Sequence, residues 1–280
     1  MTLRSKIAPQ LRARNSVRVF LHALVAIVLA PALLLAGYFA TSLARSERAR
    51  LEQNAEDQTR EAVAAVERDF VAIQNVLATL AGSPYLQSGD IESFYAQATN
   101  VSRIIGLAVI LRDVHSDQQI ANTGFPWGTV LAGKTRDPLA ASEVETLRAG
   151  KPIVTDVFFG PHTNEYLVSA IAPVFHGGDL QFYLSAAVPL KRSAELLSTL
   201  DVRPDQFVSV IDRNGVLVAR SLKQDKFAGT HRSLRFPTDS QGVVHGVNRE
   251  GLPFHSFYRH SDLLGWDITT AVLDSVLDAP

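Results

Sequence analysis

Four histidines, His231, His245, His255 and His260, fall within thirty residues of one another and raise the question of a bound metal or a general base. A turn centred on Arg249-Glu250 pairs His245 with Phe254 and His255 with Val244. Side chains alternate between faces along a strand, so this register points His245 and His255 apart and denies them a common ion. No H-E-x-x-H spacing is present either, and neither a metal nor a cofactor is expected. The chain lacks a glycine-rich lysine loop, a nucleophile elbow, a paired-carboxylate signature and a phosphoacceptor-histidine box, so no catalytic role is expected for it. A periplasmic hydrolase would need a nucleophile, a base and an orienting group to converge, and no spacing announces them.

The residues suited to chemistry are instead those that could hold a small solute. Arg136 lies between a hairpin and a short helix, where a guanidinium could grip a carboxylate through two hydrogen bonds. Trp127, between Pro126 and Gly128, could form a pocket wall or a lid. Asp156, Tyr166 and Tyr183 fall on strands expected to line a concavity, where the alternative is ordinary sheet packing. Arg112, with Asp113 at a strand end, reads as a ligand contact or as an internal ion pair fixing the hairpin, and Asn122 completes the candidate ligand-binding set. Gly177-Gly178-Asp179 resembles the start of the GGDEF signature of cyclic-dinucleotide cyclases. Leu180-Gln181-Phe182 follow, the acidic residue is missing, and the tripeptide reads as a hairpin turn.

These residues must be positioned next to a membrane. Residues 19–44 contain no Asp, Glu, Lys or Arg. At about 1.5 Å rise per residue such a helix crosses a hydrocarbon core of roughly 30 Å. Arg4, Lys6, Arg12, Arg14 and Arg18 precede the span without an acidic residue among them, and mixed charges follow it, which places residues 45–280 outside the inner membrane. The alternative is a cleaved signal peptide ending at Ser42-Leu43-Ala44. The apolar run exceeds the roughly 7–15 residues usual for such a core, which favours an anchor. The 27 basic and 28 acidic residues, for a net charge of −1, argue against nucleic acid as a partner. The absence of cysteine leaves an exported domain to be stabilised by its core alone.

Residues 45–82 read as one long helix. Val63, Val66, Phe70, Ile73, Leu77 and Leu80 recur at steps of three and four, and Gly82-Ser83-Pro84 stops the run. Packing under its own domain is expected for this stripe, with dimer contact through the polar half before it. A helix over 90–104, capped by Asp90, leads to strands at 106–112 and 119–123, a helix at 137–149, and strands at 152–159, 165–175 and 180–188. A helix at 190–200 precedes a second strand series at 206–211, 216–220, 241–247, 252–259 and 266–272, in which Asp212-Arg213-Asn214-Gly215 is a hairpin signal. The two series form an approximate repeat of topology, and Asp274 onward looks like the start of an outgoing helix.

This order of elements resembles the double Cache (tandem PAS-like) extracytoplasmic sensor domain found ahead of bacterial sensor histidine kinases. Leu111-Arg112-Asp113, Asn122-Thr123 with Pro126-Trp127-Gly128-Thr129, Val210-Ile211-Asp212-Arg213-Asn214-Gly215 with Val218-Ala219-Arg220-Ser221, Phe227-Ala228-Gly229 and Leu264-Gly265-Trp266 carry the resemblance. It implies an α+β fold: a cytoplasmic tail (1–18), a transmembrane helix (19–44), a stalk helix (45–82), a membrane-distal PAS-like antiparallel-sheet module (83–189), a linker helix (190–204), a membrane-proximal module (205–273) and an outgoing helix (274–280). It also implies a homodimer that senses a small molecule, a carboxylate being the candidate, in the distal module and passes helix motion across the membrane. With the family's amino-acid motif placed on Arg136, Leu131, Pro138 and Leu139 occupy its aromatic positions and Gly160 falls near its downstream Asp, so α-amino acids bound in that manner are not implied. The alternatives are a ligand-free dimerisation or protein-docking scaffold, or the sensor of a diguanylate cyclase or chemoreceptor.

Overall fold

Helix α1 runs over Gln10–Ala81 and has two different surfaces. Its N-terminal part holds one stretch long and apolar enough to cross a membrane, with a mean hydropathy of 2.6 and none of it buried by protein. Leu33, Leu34, Phe39 and Leu43 all stand exposed, an apolar surface that lipid rather than water suits. Further along, Val63, Val66, Phe70, Ile73, Leu77 and Leu80 are all buried. By contacts the described chain divides after Gln53, and both sheets lie in the second unit. The computed structural model describes residues 10–131, 139–231, 236–237, 239–247 and 251–277, with side chains from residue 19 onward.

The stripe on α1 explains the rest of the layering. It packs against Val109, Leu111, Val168 and Leu184 of one sheet and against Val208, Val210, Trp266 and Ile268 of the other in a single apolar core. The second half of α1 therefore packs on its own domain, as its periodicity predicts. Polar contacts fix the register: Thr59 Oγ1 meets Thr270 Oγ1 at 2.8 Å, the Ser261 hydroxyl donates to Glu67 Oε1 at 2.6 Å, and Arg192 grips Asp69 at 2.8 and 3.1 Å. The helix ends before Ser83, and α2 (Pro84–Ser88) starts with proline and closes on Gly89, whose φ of +77° only glycine adopts at low cost. Helix α3 (Ile91–Ile105) begins as its sequence predicts, with the Asp90 carboxylate accepting from Ser93 N at 3.1 Å.

The first sheet comprises β1 (Val109–Asp113), β2 (Gln119–Asn122), β3 (Ile153–Val154), β4 (Phe158–Gly160), β5 (Glu165–His176) and β6 (Asp179–Pro189), in the order β2-β1-β6-β5-β3, with β4 also on β5. Helix α4 (Ala141–Arg148) lies before β3. The single strand expected over 152–159 is two, because Asp156 and Val157 leave the sheet to bond the second module. Helix α5 (Leu190–Ser198) leads to the second sheet of β7 (Gln206–Ile211), β8 (Leu217–Arg220), β9 (Gln241–Val247), β10 (Pro253–Ser261) and β11 (Trp266–Leu273), in the order β8-β7-β11-β10-β9. A one-turn helix, α6 (Gln224–Phe227), not foreseen in the sequence, follows β8, and α7 (Asp274–Leu277) follows β11.

The histidine register differs from expectation. His245 pairs directly with His255, not with Phe254, and their rings stand 4.0 Å apart by centroid. The connection between Val247 and Pro253 holds an odd number of residues, which shifts the register by one and brings both imidazoles to one face.

Phe70 and Trp266 meet edge to face at 5.2 Å and 86°, both fully buried, where α1 crosses the second sheet. Phe70→Ala is expected to lower the unfolding free energy by about 3–5 kcal/mol. Denaturant titration of the membrane-embedded chain, followed by tryptophan fluorescence in a Trp127→Phe background, measures it; a loss below about 1 kcal/mol would refute the central role of this contact.

Candidate functional site

On β1, Val109 and Leu111 face α1, so Arg112 points to the outer face of the first sheet, where Tyr183 of the paired β6 also lies. Both side chains are almost fully buried. They meet through a residue that the sequence did not single out: Arg112 Nη1 donates to the Asp117 carbonyl at 2.9 Å and lies 3.7 Å from Asp117 Oδ2, and the Tyr183 hydroxyl donates to Asp117 Oδ1. Asp117 adopts a φ of +56° in the turn after β1, a conformation that Asp tolerates better than most residues. The available signal was the polar turn His115-Ser116-Asp117-Gln118. The ion pair of Arg112 is thus with Asp117 rather than Asp113. Partial burial works against the charged form of Asp113, but hydrogen bonds from Ser116 and His115 outweigh it and hold the carboxyl below its ordinary value. Leu147, Ile153, Ile171 and Leu180 are buried around Tyr183, so the described part of this face is filled with side chains.

The other candidates are dispersed. Asn122 closes a turn, donating to Gln119 Oε1 at 2.7 Å and accepting from Gly124 N at 2.9 Å. Trp127 is 44% exposed with its ring 5.2 Å from that of Tyr95, which leaves a flat aromatic surface open to solvent. Arg136 lies outside the described residues.

Asp156 and Tyr166 sit where the two modules join. Asp156 Oδ1 accepts from Arg213 Nε at 2.9 Å and from Arg213 N at 3.2 Å, and its Oδ2 accepts from Asn214 Nδ2 at 3.2 Å. Arg213 Nη2 also reaches the Val154 carbonyl at 2.6 Å. In return Asp212 Oδ2 accepts from Val157 N at 2.9 Å, while its Oδ1 accepts from Val216 N at 2.7 Å and Asn214 N at 3.0 Å. Burial pushes the Asp212 carboxyl above its ordinary value, aided by the nearby charge of Asp156 and only partly opposed by these hydrogen bonds. The Tyr166 ring lies against Gly229, where a Cβ would come within 2.6 Å of it, so glycine permits the approach. The hairpin turn Asp212–Gly215 therefore docks one module on the other.

The second sheet has a different outer face. A cavity of about 440 Å³ opens there, with Ser209, Ser256, Thr269 and Ala271 at its floor and Phe207 and Phe227 among its walls. Sequence reading did not mark this place, since small residues on strands carry no local signature of the space left above them. His245 and His255 lie on β9 and β10, with His255 Nδ1 2.7 Å from Asp274 Oδ1. Among the described residues, no group of three or more His, Asp or Glu side chains is arranged to hold a metal.

No protein-family model and no curated protein sequence matches the chain. Solved structures do, over most of its length. The extracellular domain assigned to a histidine kinase, rpHK1S-Z16, aligns at a TM-score of 0.59 and 15% identity, covering 83% of this chain and 98% of that one. The ligand-binding domain of the Campylobacter jejuni chemoreceptor Tlp3 in complex with 4-methylisoleucine aligns at 0.59 and 13%, covering 85% and 95%. The sensor domain of the V. cholerae histidine kinase DctB aligns at 0.54 and 12%, covering 83% and 98%. Each likeness is one of fold, and the fold is the two-module α+β architecture of extracellular sensor domains, the double Cache form expected from the order of elements.

The raised Asp212 value has a defined sign. The folded protein holds this proton more tightly than the unfolded chain, so the group's contribution to stability is full below the ordinary value of 3.8 and is lost as pH rises through the higher folded value. Asp212→Asn is expected to remove that segment of the pH dependence and to cost about 1–3 kcal/mol at neutral pH, since an amide cannot accept at both positions. Urea unfolding of both proteins between about pH 3.5 and 7 tests this; parallel curves would disprove it.

Proposed function

We propose that residues 45–280 form the extracytoplasmic small-molecule sensing region of a membrane-anchored signal receptor whose output is that of a histidine kinase. The observation that carries this reading is that one helix, α1, holds both the membrane-length apolar stretch and the stripe buried under both sheets. Its alignment partners include sensor domains of two histidine kinases and a chemoreceptor ligand-binding domain crystallised with an amino-acid-like ligand. The chain itself carries no catalytic role in this reading.

The mechanism follows from the contacts on α1. A solute that binds one packing of the modules better than another shifts the population toward it, and only that difference in affinity does signalling work. The parts that would register the shift are the Asp156–Arg213 clamp between modules and the Glu67–Ser261 and Asp69–Arg192 pairs on α1. Two copies side by side would convert the displacement of α1 into a change across the bilayer. The filled outer face of the first sheet favours a second reading for that module alone, as a docking scaffold.

Topology is tested by cysteine labelling, which the cysteine-free sequence makes clean. In intact cells, Ser116→Cys is expected to react with a membrane-impermeant maleimide, and Ser5→Cys only after permeabilisation; the reverse pattern would overturn the assignment. Ligand class is tested by melting the full chain against carboxylates, amines, sugars and purines. A carboxylate at a hundred times its Kd should stabilise by about 2.7 kcal/mol. Arg136→Ala should abolish that gain, and a gain unaffected by the change would remove Arg136 from the site.

A further inference from the structure

We propose that the second module carries its own binding site, for an organic anion that joins one carboxylate to an apolar or aromatic body. The site is the cavity on the outer face of the second sheet, over Ser209, Thr269 and Ala271, and its existence does not depend on the receptor reading above.

The two sheets share one strand order, so β7 and β11 stand in the second where β1 and β6 stand in the first. In the first, Tyr183 and Ile171 fill the outer face together with Leu147 of α4. In the second, Ser209 pairs with Thr269, and Ala271 pairs with both Phe207 and Ser256, so small side chains meet at its centre. The helix beside them, α6, is four residues long and contributes Phe227 to the wall. The resulting space of about 440 Å³ lies within the roughly 300–1,000 Å³ of small-molecule sites and far exceeds the packing voids of ordinary cores.

Two properties of the lining define the occupant. Its body is apolar, because Phe207, Phe227, Phe236 and Phe254 stand in the wall and water gains little from such a surface. Its head is anionic. Arg220 pairs with Ser209 across β8 and β7 and so extends over the same outer face. Its guanidinium carbon lies 4.0 Å from the centre of the Phe207 ring and 4.7 Å from that of Phe227, which sets the cation within the aromatic wall. The turn that carries it is fixed: Gln224 Oε1 accepts from Arg220 N at 2.7 Å, and Gln224 Nε2 donates to the Val218 carbonyl at 3.3 Å, tying α6 to β8. Lys223 adds a second cation, and His231, the other basic group there, is neutral or positive. Among the described residues that line the cavity, the one acidic side chain is Asp205, and Arg203 holds it at 3.1 and 3.3 Å. The lining is therefore positive on balance. A guanidinium is a planar fork of N–H donors matched to a carboxylate, and that pairing is stronger in a partly dry site than in open water. A cationic head meets like charge at Arg220 and Lys223, and a neutral molecule gains nothing from either.

The test is calorimetric titration of the full chain in lipid nanodiscs, corrected with empty nanodiscs, against benzoate, phenylacetate and hexanoate. Acetate, benzyl alcohol and benzylamine are the controls. At least one of the three apolar carboxylates should saturate, with every control bound about tenfold or more weakly. Arg220→Gln should weaken that carboxylate about tenfold or more, through loss of a charge-assisted contact, and Ala271→Phe, which fills the floor, should abolish binding. Thermal unfolding followed by circular dichroism verifies the fold of each variant; if Ala271→Phe does not fold, Ser209→Leu fills the same space from the neighbouring strand. The proposal is overturned if none of the three carboxylates saturates, if any control binds as well as they do, or if Arg220→Gln and the filled variants bind unchanged. Binding that Arg136→Ala abolishes and Arg220→Gln leaves intact also overturns it, and belongs instead to the Arg136 site of the receptor reading. None of these outcomes alters the cysteine-labelling result on which the receptor reading stands.

Discussion

One apolar stripe carries the architecture. Val63 to Leu80 on α1 supply the surface on which two otherwise separate layers, of six and five strands, bury their inner faces. At about 25 cal/mol per Å² of apolar surface, burial of this kind is the largest favourable contribution available to a chain with no cysteine to staple it. It dictates which face of each sheet is inner. Once Leu111, Leu184, Val208 and Ile268 face the helix, period-two alternation sends Arg112, Tyr183, Ser209 and Thr269 outward. The polar pairs along α1 set register rather than add much stability, since partly exposed ion pairs such as Asp69–Arg192 contribute little each.

The junction between the modules is built on a different principle. Asp212 and Asp156 face the same hairpin, and their carboxylates exchange bonds with backbone N–H groups and Arg213 across the boundary. The bonds from Val157 N and Arg213 N come from main chain, which helps hold the modules at one spacing. The raised value of Asp212 comes chiefly from its burial, with the neighbouring charge of Asp156 adding to it.

The same strand order yields two outer faces of opposite character. Among the described residues the first is filled by bulky side chains around the Arg112–Asp117–Tyr183 cluster, whose buried charges are held by each other and by a carbonyl. The second is left open by serine, threonine and alanine at paired positions. Topological repetition thus does not carry the position of an empty pocket with it. Pocket volume depends on the sum of side-chain sizes across neighbouring strands, and that sum differs between the modules.

Periodicity and stop signals in the sequence were sufficient for α1, its apolar N-terminal stretch, the Asp90 cap of α3, the Asp212–Gly215 hairpin and nearly every strand, because each depends on residues close together in the chain. The register of β9 on β10 was not legible, since one residue more or less in a connection reverses which face His245 presents. Nor was the partner of Arg112, because Asp113 and Asp117 both lie within five residues of it and only the path of the turn selects between them. Asp156 and Tyr166 looked like pocket residues for the right local reason, being polar groups on or beside the strands of the first sheet, but the docking of a second module 57 residues away turned Asp156 into a clamp. The cavity over Ser209 and Thr269 was invisible for the same reason. Composition and spacing determine which face a side chain takes, and long-range packing alone determines what, if anything, stands opposite it.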